Sequence, residues 1–139
     1  MIMQDKQRTG LVSVTIWGAL ILLCGSTGVN AAEDYSTWPQ FTTITLNTTP
    51  SGANVANNVL SFPLMIRLYT QNFPDFSTSG YSPTIRFAKL DGTHLPYQIE
   101  RWDDTKDSAE IWVLLDTIKG NSNSQQIKMY WGKTGAADS

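Results

Sequence analysis

The residues best suited to chemistry are six carboxylates in one stretch of the chain. They are Glu100, Asp103, Asp104, Asp107, Glu110 and Asp116, half of the 12 acidic residues. Two carboxylates separated by about 5 to 9.5 Å can hydrolyse a glycoside, and Glu100 and Glu110 could approach each other across a hairpin. A catalytic acid needs a cleft that raises its pKa, whereas DDTKD at 103–107 is typical of a solvated turn. We therefore expect no catalytic residue and no enzyme activity.

The same turn is also a candidate cation site. Calcium takes about six to eight oxygen ligands, and Asp103, Asp104 and Asp107 could supply three of them. Their spacing lacks the alternation and the glycine of an EF-hand loop. His94 is the single histidine, which excludes a site that needs two imidazoles. We predict a charged turn without a metal or another cofactor.

Aromatic rings near the carboxylates suggest a carbohydrate site, because sugar rings stack on flat, exposed aromatic rings. Tyr97 and Trp102 flank Gln98 and Glu100, whose polar groups could bind sugar hydroxyls. Strand alternation places Gln98, Glu100 and Trp102 on one face. The predicted ligand-binding residues are therefore Tyr97, Gln98, Glu100 and Trp102. The alternative is that the rings pack in the core or at an interface, the commoner position of tryptophan in a small domain.

Six short segments with a period of two must position these residues. They are FTTITLNTT (41–49), VLSFPLMIRLY (59–69), TIRFAKL (84–90), PYQIERW (96–102), AEIWVLL (109–115) and QQIKMYW (125–131). Apolar and polar residues alternate in them, which predicts strands. Pro63 places itself at a sheet edge, at a bulge or at the start of the second strand. Asp91-Gly92 predicts a hairpin between the third and fourth segments. The pattern predicts an all-β, antiparallel, jelly-roll-like β-sandwich.

The AEIWVLL segment differs from the others because both of its faces are apolar. One face carries Ile111, Val113 and Leu115, and the other carries Trp112 and Leu114. Such a strand is central in its sheet. An exposed apolar patch is unusual on a monomer, so we expect the loop at 71–81, with Phe73, Phe76 and Tyr81, to cover the second face. Otherwise that face docks another module or a partner protein.

The N-terminal region predicts export. Lys6 and Arg8 precede an apolar run from Leu11 to Cys24, and small residues follow as far as Ala32. The run is shorter than the roughly 20 residues of a spanning helix. We predict a helical signal peptide at 1–31, cleaved before a sandwich module at 32–139, with an uncleaved anchor as the alternative. The location would be periplasmic, outer-membrane-associated or extracellular.

The predicted mature chain is weakly acidic and has no cysteine. Cys24 is the only thiol, so cleavage would exclude disulfides and a thiolate nucleophile. Loss of Lys6, Arg8 and Asp5 from 10 basic and 12 acidic residues leaves a net charge of about −3. No basic patch remains that could bind nucleic acid.

A resemblance to a known family rests on an ordered set of motifs. They are Trp38 and Phe41, Ile85-Arg86-Phe87, Asp91-Gly92, Leu95 to Glu100, Trp102, Ile111-Trp112-Val113 and Met129 to Lys133. In their order and spacing they resemble the bacterial exported domain of unknown function 2341, from Trp38 to Ser139. The resemblance implies an exported module that precedes a concanavalin-A-like lectin or glucanase sandwich, and it names no reaction.

Two departures from the family pattern affect what the resemblance implies. Thr84 stands where the family has an acidic residue, so a ligand or cation role of that carboxylate would be lost here. No lectin-like sandwich follows Ala137 to Ser139, so the product is either truncated or works alone. We predict an exported, non-catalytic module with a binding or structural role in a cell-envelope protein. Its partner would be a C-terminal lectin-like module, an envelope protein or a glycan. The alternatives are a carbohydrate-binding domain and a domain related to glycoside hydrolases.

Overall fold

The computed structural model describes residues 33–77 and 84–136. These residues belong to one compact unit, Ala31–Ser139, and the predicted signal peptide at 1–31 lies outside them. They contain six strands, β1 (Gln40–Leu46), β2 (Val59–Tyr69), β3 (Ile85–Lys89), β4 (Tyr97–Asp103), β5 (Ser108–Ile118) and β6 (Gln125–Trp131), and two 3-10 turns, Tyr35–Thr37 and Pro74–Ser77. Each predicted segment overlaps one of these strands, with ends that differ by up to three residues.

The strands form two sheets of three strands each. Sheet A has the order β1-β6-β3 and sheet B the order β2-β5-β4, and every pair is antiparallel. The predicted all-β, antiparallel sandwich is confirmed. The central position of β5 is also confirmed. β2 lies at a sheet edge, one of the three placements open to Pro63, and there Pro63 does not interrupt a second ladder.

The core between the sheets follows the alternation of the sequence. Ile127, Met129 and Trp131 of β6 belong to the same buried cluster as Ile111 and Val113 of β5. Burial of each large apolar side chain contributes roughly 1.5 to 3 kcal/mol. Two phenylalanines complete the core from the segment after β2, because Phe73 and Phe76 are both buried in this cluster.

The expectation that this segment covers the second face of β5 is wrong. Phe73 lies 5.2 Å from the ring of Trp131 and 6.0 Å from the ring of Trp102, measured between centroids, so it fills the space between the sheets. Leu114 on the outer face of sheet B remains 44% exposed. The phenylalanines bury more apolar surface inside the sandwich than on a single sheet face. Tyr81 lies outside the described residues.

The predicted hairpin between β3 and β4 is also wrong, because these strands belong to different sheets. The tight turn does form, and Gly92 adopts a φ of 86° that favours glycine. The chain then pairs with β3 only briefly, through a bridge between Ala88 and His94 and a 2.9 Å hydrogen bond from Leu95 N to Phe87 O. Pro96 has no amide hydrogen and cannot extend the ladder, so the chain crosses to sheet B.

Candidate functional site

The motif residues meet around Arg86, which is only 2% exposed. Its neighbours Ile85 and Phe87 point into the core, so strand alternation turns Arg86 to the outer face of sheet A. One guanidinium nitrogen, Nη1, donates to Ile85 O and to Tyr97 Oη, both at 2.7 Å. The guanidinium also lies 5.5 Å from the ring centroid of Trp38. A buried cation needs such partners, because its lost hydration must be replaced.

An N-terminal clasp, defined as residues 33–38, covers this part of sheet A. Trp38 is buried against Ala88 and Tyr130, and Tyr35 packs on the same cluster. The rings of Tyr35 and Tyr130 stack with centroids 4.4 Å apart. Trp38 Nε1 donates to Glu33 Oε1 at 3.0 Å. The clasp therefore seals the outer face beside Arg86 with aromatic surface and one carboxylate.

Charge and burial together shift the pKa values of three groups in and beside the clasp. The hydrogen bond from Lys133 Nζ, 2.9 Å from Glu33 Oε1, lowers the pKa of Glu33. Burial raises the pKa of Tyr35 to about 12. Burial, followed by the charge of Arg86, lowers the pKa of His94. His94 Nδ1 and Tyr35 Oη are joined by a 2.8 Å hydrogen bond, so near neutral pH the clasp contains an anionic Glu33 and contacts a neutral His94.

The predicted ligand-binding residues do not share one face. Ile99 pairs with Ile111 but Arg101 pairs with Glu110, so Glu100 is the extra residue of a β-bulge. The bulge reverses the alternation beyond Glu100. Gln98 consequently points outward, whereas Trp102 packs against the core. The expectation that Gln98, Glu100 and Trp102 lie together is therefore wrong.

The two aromatic members of the predicted site are engaged inside the fold. Tyr97 Oη donates to Ile85 O at 2.6 Å, and the Tyr97 ring meets that of Phe87 edge to face. The Trp102 ring lies 5.3 Å from that of Phe76, and its Nε1 donates to Asp104 Oδ1 at 2.6 Å. Gln98 and Glu100 are exposed. A ligand role for these four residues stays a prediction.

The outer face of sheet B brings together a different set of side chains. Trp112 is half-buried there, opposite Gln98 of β4 and Met65 of β2. Next along the strands, Glu110 lies between two arginines, with its carboxylate oxygens 3.8 Å from Arg67 Nε and 3.5 Å from Arg101 Nε. This face thus presents the Trp112 ring beside an amide and a row of three paired charges.

The acidic turn between β4 and β5 is a solvated hairpin end, as the sequence predicts. Asp103 Oδ1 accepts the amides of Thr105 and Lys106, each at 3.1 Å. Asp107 closes the turn with a φ of 48°, which aspartate tolerates better than most residues. Across residues 33–77 and 84–136, no group of three or more His, Cys, Asp or Glu side chains could hold a metal ion. The alternative to a charged turn, a cation held by Asp103, Asp104 and Asp107, stays a hypothesis.

A cleft of about 530 Å³ opens between the sheets near the ends of β3 and β5. The ion pair of Lys89 and Asp116, 2.8 Å long, joins the two sheets beside it. Gln125 lines the cleft, but its amide is used, because it accepts from Lys119 N and donates to Thr117 O, both at 2.7 Å. The residues that line the cleft include no aromatic ring on which a sugar could stack.

Sequence reasoning missed the clasp and the burial of Arg86. A signal was present, because alternation in β3 and β6 turns Ala88 and Tyr130 outward together with Arg86. An apolar outer face of this kind requires a cover. Within the described ranges there is also no helix with the length and apolar character to cross a membrane.

The fold and these contacts define the class of the protein as an all-β sandwich domain with a buried arginine on the outer face of one sheet. Residues 82–139 match the family model described as "Domain of unknown function (DUF2341)". The matched segment contains β3 to β6, and Trp38 and Phe41 lie outside it. Neither a curated protein nor a solved structure matches the chain.

Proposed function

We propose that the protein is an exported, non-catalytic β-sandwich module with a binding or structural role in a cell-envelope protein. One observation carries the proposal. Side chains of the family-like motifs, among them Arg86, Tyr97, Trp102 and Trp131, make contacts inside the fold. Side chains that pack and hydrogen-bond inside the fold cannot also bind a substrate.

The carboxylates support a non-catalytic role in the same way. Glu110 is held between two arginines, Asp103 accepts turn amides, and Asp116 pairs with Lys89. A glycosidase needs one protonated and one ionised carboxyl group on either side of the substrate. The hydrogen bond from Lys89 lowers the pKa of Asp116 and favours its ionised form, which does not suit a general acid.

The test is a hydrolysis assay on the purified protein with a panel of envelope and plant polysaccharides. We expect no release of reducing ends above the blank, and no difference between the wild type and Glu100→Gln. Release of reducing ends that is lost in Glu100→Gln or Glu110→Gln would overturn the proposal in favour of a domain related to glycoside hydrolases.

A carbohydrate-binding role is a second candidate, and the outer face of sheet B favours it. Trp112 is half-buried there directly opposite Gln98, so a sugar could stack on the indole and hydrogen-bond to the amide. Aromatic rings at a flat face supply most of the apolar contact with a sugar. This site replaces the grouping of Tyr97 with Trp102, whose rings face the interior.

Glycan-array binding by the purified protein, with and without calcium, tests this second candidate. We expect Trp112→Ala to abolish any bound signal and Tyr69→Ala, which removes an aromatic ring at the exposed end of β2, to retain it. If Trp112→Ala binds as the wild type does, the face is not a glycan site. It then remains available to a lectin-like module or an envelope protein, the partners that the resemblance implies.

Export is supported by the order of charged, apolar and small residues at 1–32. N-terminal sequencing of the protein recovered from a bacterial host tests it. A mature chain that begins at Ala32 or Glu33 is expected. A chain recovered from the cytoplasm that still begins at Met1 would contradict export.

A further inference from the structure

The four edge strands of the sandwich differ in how they are protected against pairing with another chain. β3 is covered by the chain that follows it, through hydrogen bonds from Lys89 N to Thr93 O and from Leu95 N to Phe87 O. β4 is interrupted by the bulge at Glu100 and carries Arg101. β2 contains Pro63 and a φ of 49° at Ser61. Bulges, charges and proline are the usual means of blocking edge-to-edge pairing.

β1 has none of these protections. Its seven residues, QFTTITL, include no charge and no proline, and none of them has a positive φ. Within the described part of the chain, β6 is the one strand that pairs with β1. An uncharged, regular edge strand of this length is a template for another strand.

An apolar groove runs beside β1, between it and β2 of the other sheet. Ile44, Leu46 and Leu64 point inward but are only partly buried, and Phe62 is 40% exposed. These side chains line two adjoining cavities of about 390 and 250 Å³. Among residues 33–77 and 84–136, the sandwich is therefore open along the same side on which β1 has no second neighbour.

We propose that β1 pairs antiparallel with β1 of a second copy of this chain, about a two-fold axis at Thr43. In an antiparallel pair, directly opposite residues point to the same face. A register centred on Thr43 aligns all seven residues, places Phe41 opposite Thr45, and keeps Thr42, Ile44 and Leu46 on the core side in both copies. Aromatic and β-branched cross-strand pairs of this kind are favourable.

A second copy fits this edge because it brings both an identical β1 and an identical apolar groove to the interface. Pairing of β1 continues sheet A across both copies and sets the two grooves side by side, so Phe62 and Leu64 of one chain face their equivalents. A closed two-fold interface is self-complementary in this way. The nearest cation on the outer face is Lys128, opposite Thr43 in the same chain. Two copies of Lys128 would be about 14 Å apart, at three strand spacings, and salt screens charges at that distance.

Sedimentation of the purified full chain between about 1 and 100 μM tests the proposal, because a dimer of this kind depends on concentration. We expect a species of twice the chain mass. Thr43→Lys and Thr43→Glu should each weaken association at least roughly tenfold, because like charges then face each other across the axis. An equimolar mixture of these two variants should restore association. Thr105→Lys makes the same exchange at an exposed position in the turn between β4 and β5 and should associate as the wild type does.

Melting temperatures show whether each variant folds. Thr43→Glu is the safer variant, because its carboxylate would lie opposite Lys128 of its own chain. A wild type that stays monomeric, single variants that associate as strongly as the wild type, or a mixture that fails to restore association would each overturn the proposal. The mixture also distinguishes pairing at β1 from association through residues 1–32, which neither substitution changes.

Discussion

The clasp makes one strong prediction, that Trp38 stabilises the domain far more than an exposed aromatic residue close to it in the sequence. Trp38 is 5% exposed and packs on Tyr130, Ala88 and the guanidinium of Arg86. Its indole nitrogen also donates to Glu33. Truncation of a buried tryptophan to alanine costs about 3 to 5 kcal/mol. A domain of this size has a total stability of only about 5 to 15 kcal/mol, so Trp38→Ala removes a large part of it.

Phe41→Ala is the matched control, because Phe41 is aromatic, lies three positions further along the chain and is 59% exposed. Its contact with Lys128 Nζ, 5.2 Å from the ring centroid, is a surface cation–π contact worth about 0.5 to 1 kcal/mol. Urea unfolding of both variants, followed by circular dichroism, measures the two losses. A Trp38→Ala loss below about 1 kcal/mol, or one equal to that of Phe41→Ala, would refute a packing role for the clasp. Trp38→Phe provides a milder variant if Trp38→Ala does not fold.

Three further predictions concern pH, backbone packing and metal. The lowered pKa of Glu33 gives stability that is present above pH 4.5 and lost in stronger acid. The lowered pKa of His94 gives stability that is full above pH 6.5 and lost below it. The raised pKa of Tyr35 gives stability that is lost between pH 10 and about 12. Melting temperature should therefore be highest between about pH 7 and 10, and Glu33→Gln should flatten the acid limb. Gly120→Ala should destabilise the domain more than Gly92→Ala. A Cβ at position 120 would collide with the backbone of Asn57 and lie 2.6 Å from Ala56 O, whereas a Cβ at position 92 meets no atom within 4 Å. Thermal melts of the two variants measure the difference. A chelator should leave the melting temperature unchanged, and a fall of many degrees would show that the acidic turn holds a structural cation.

Alternation was sufficient to predict the strands and the sandwich. Ile127, Met129 and Trp131 face the core as their spacing indicates. The crossing after Leu95 was not predictable from the Asp91-Gly92 turn, because a turn signal does not show whether pairing continues beyond the turn. Pro96 carried that information, since it cannot donate to a ladder.

The candidate site was less predictable than the fold, because one bulge reversed the faces that alternation assigned. The extra residue at Glu100 turns Trp102 inward and separates it from Gln98, and no residue type in QIERW indicates a bulge. The burial of Arg86 could not be predicted from the sequence for a different reason. A lone arginine in an apolar strand is most often solvated, and its partners come from Trp38 and Tyr97, which are distant from each other in sequence.

The most direct test of the account is the free energy of unfolding of Tyr97→Phe, measured by urea denaturation. This variant keeps the ring but removes the hydroxyl that donates to Ile85 O at 2.6 Å and accepts from Arg86 Nη1 at 2.7 Å. If the family-like motif residues build the fold, the variant should lose about 1 to 3 kcal/mol, the cost of losing buried hydrogen bonds to a charged group. A loss below about 0.5 kcal/mol, the range of ordinary surface substitutions, would contradict the account.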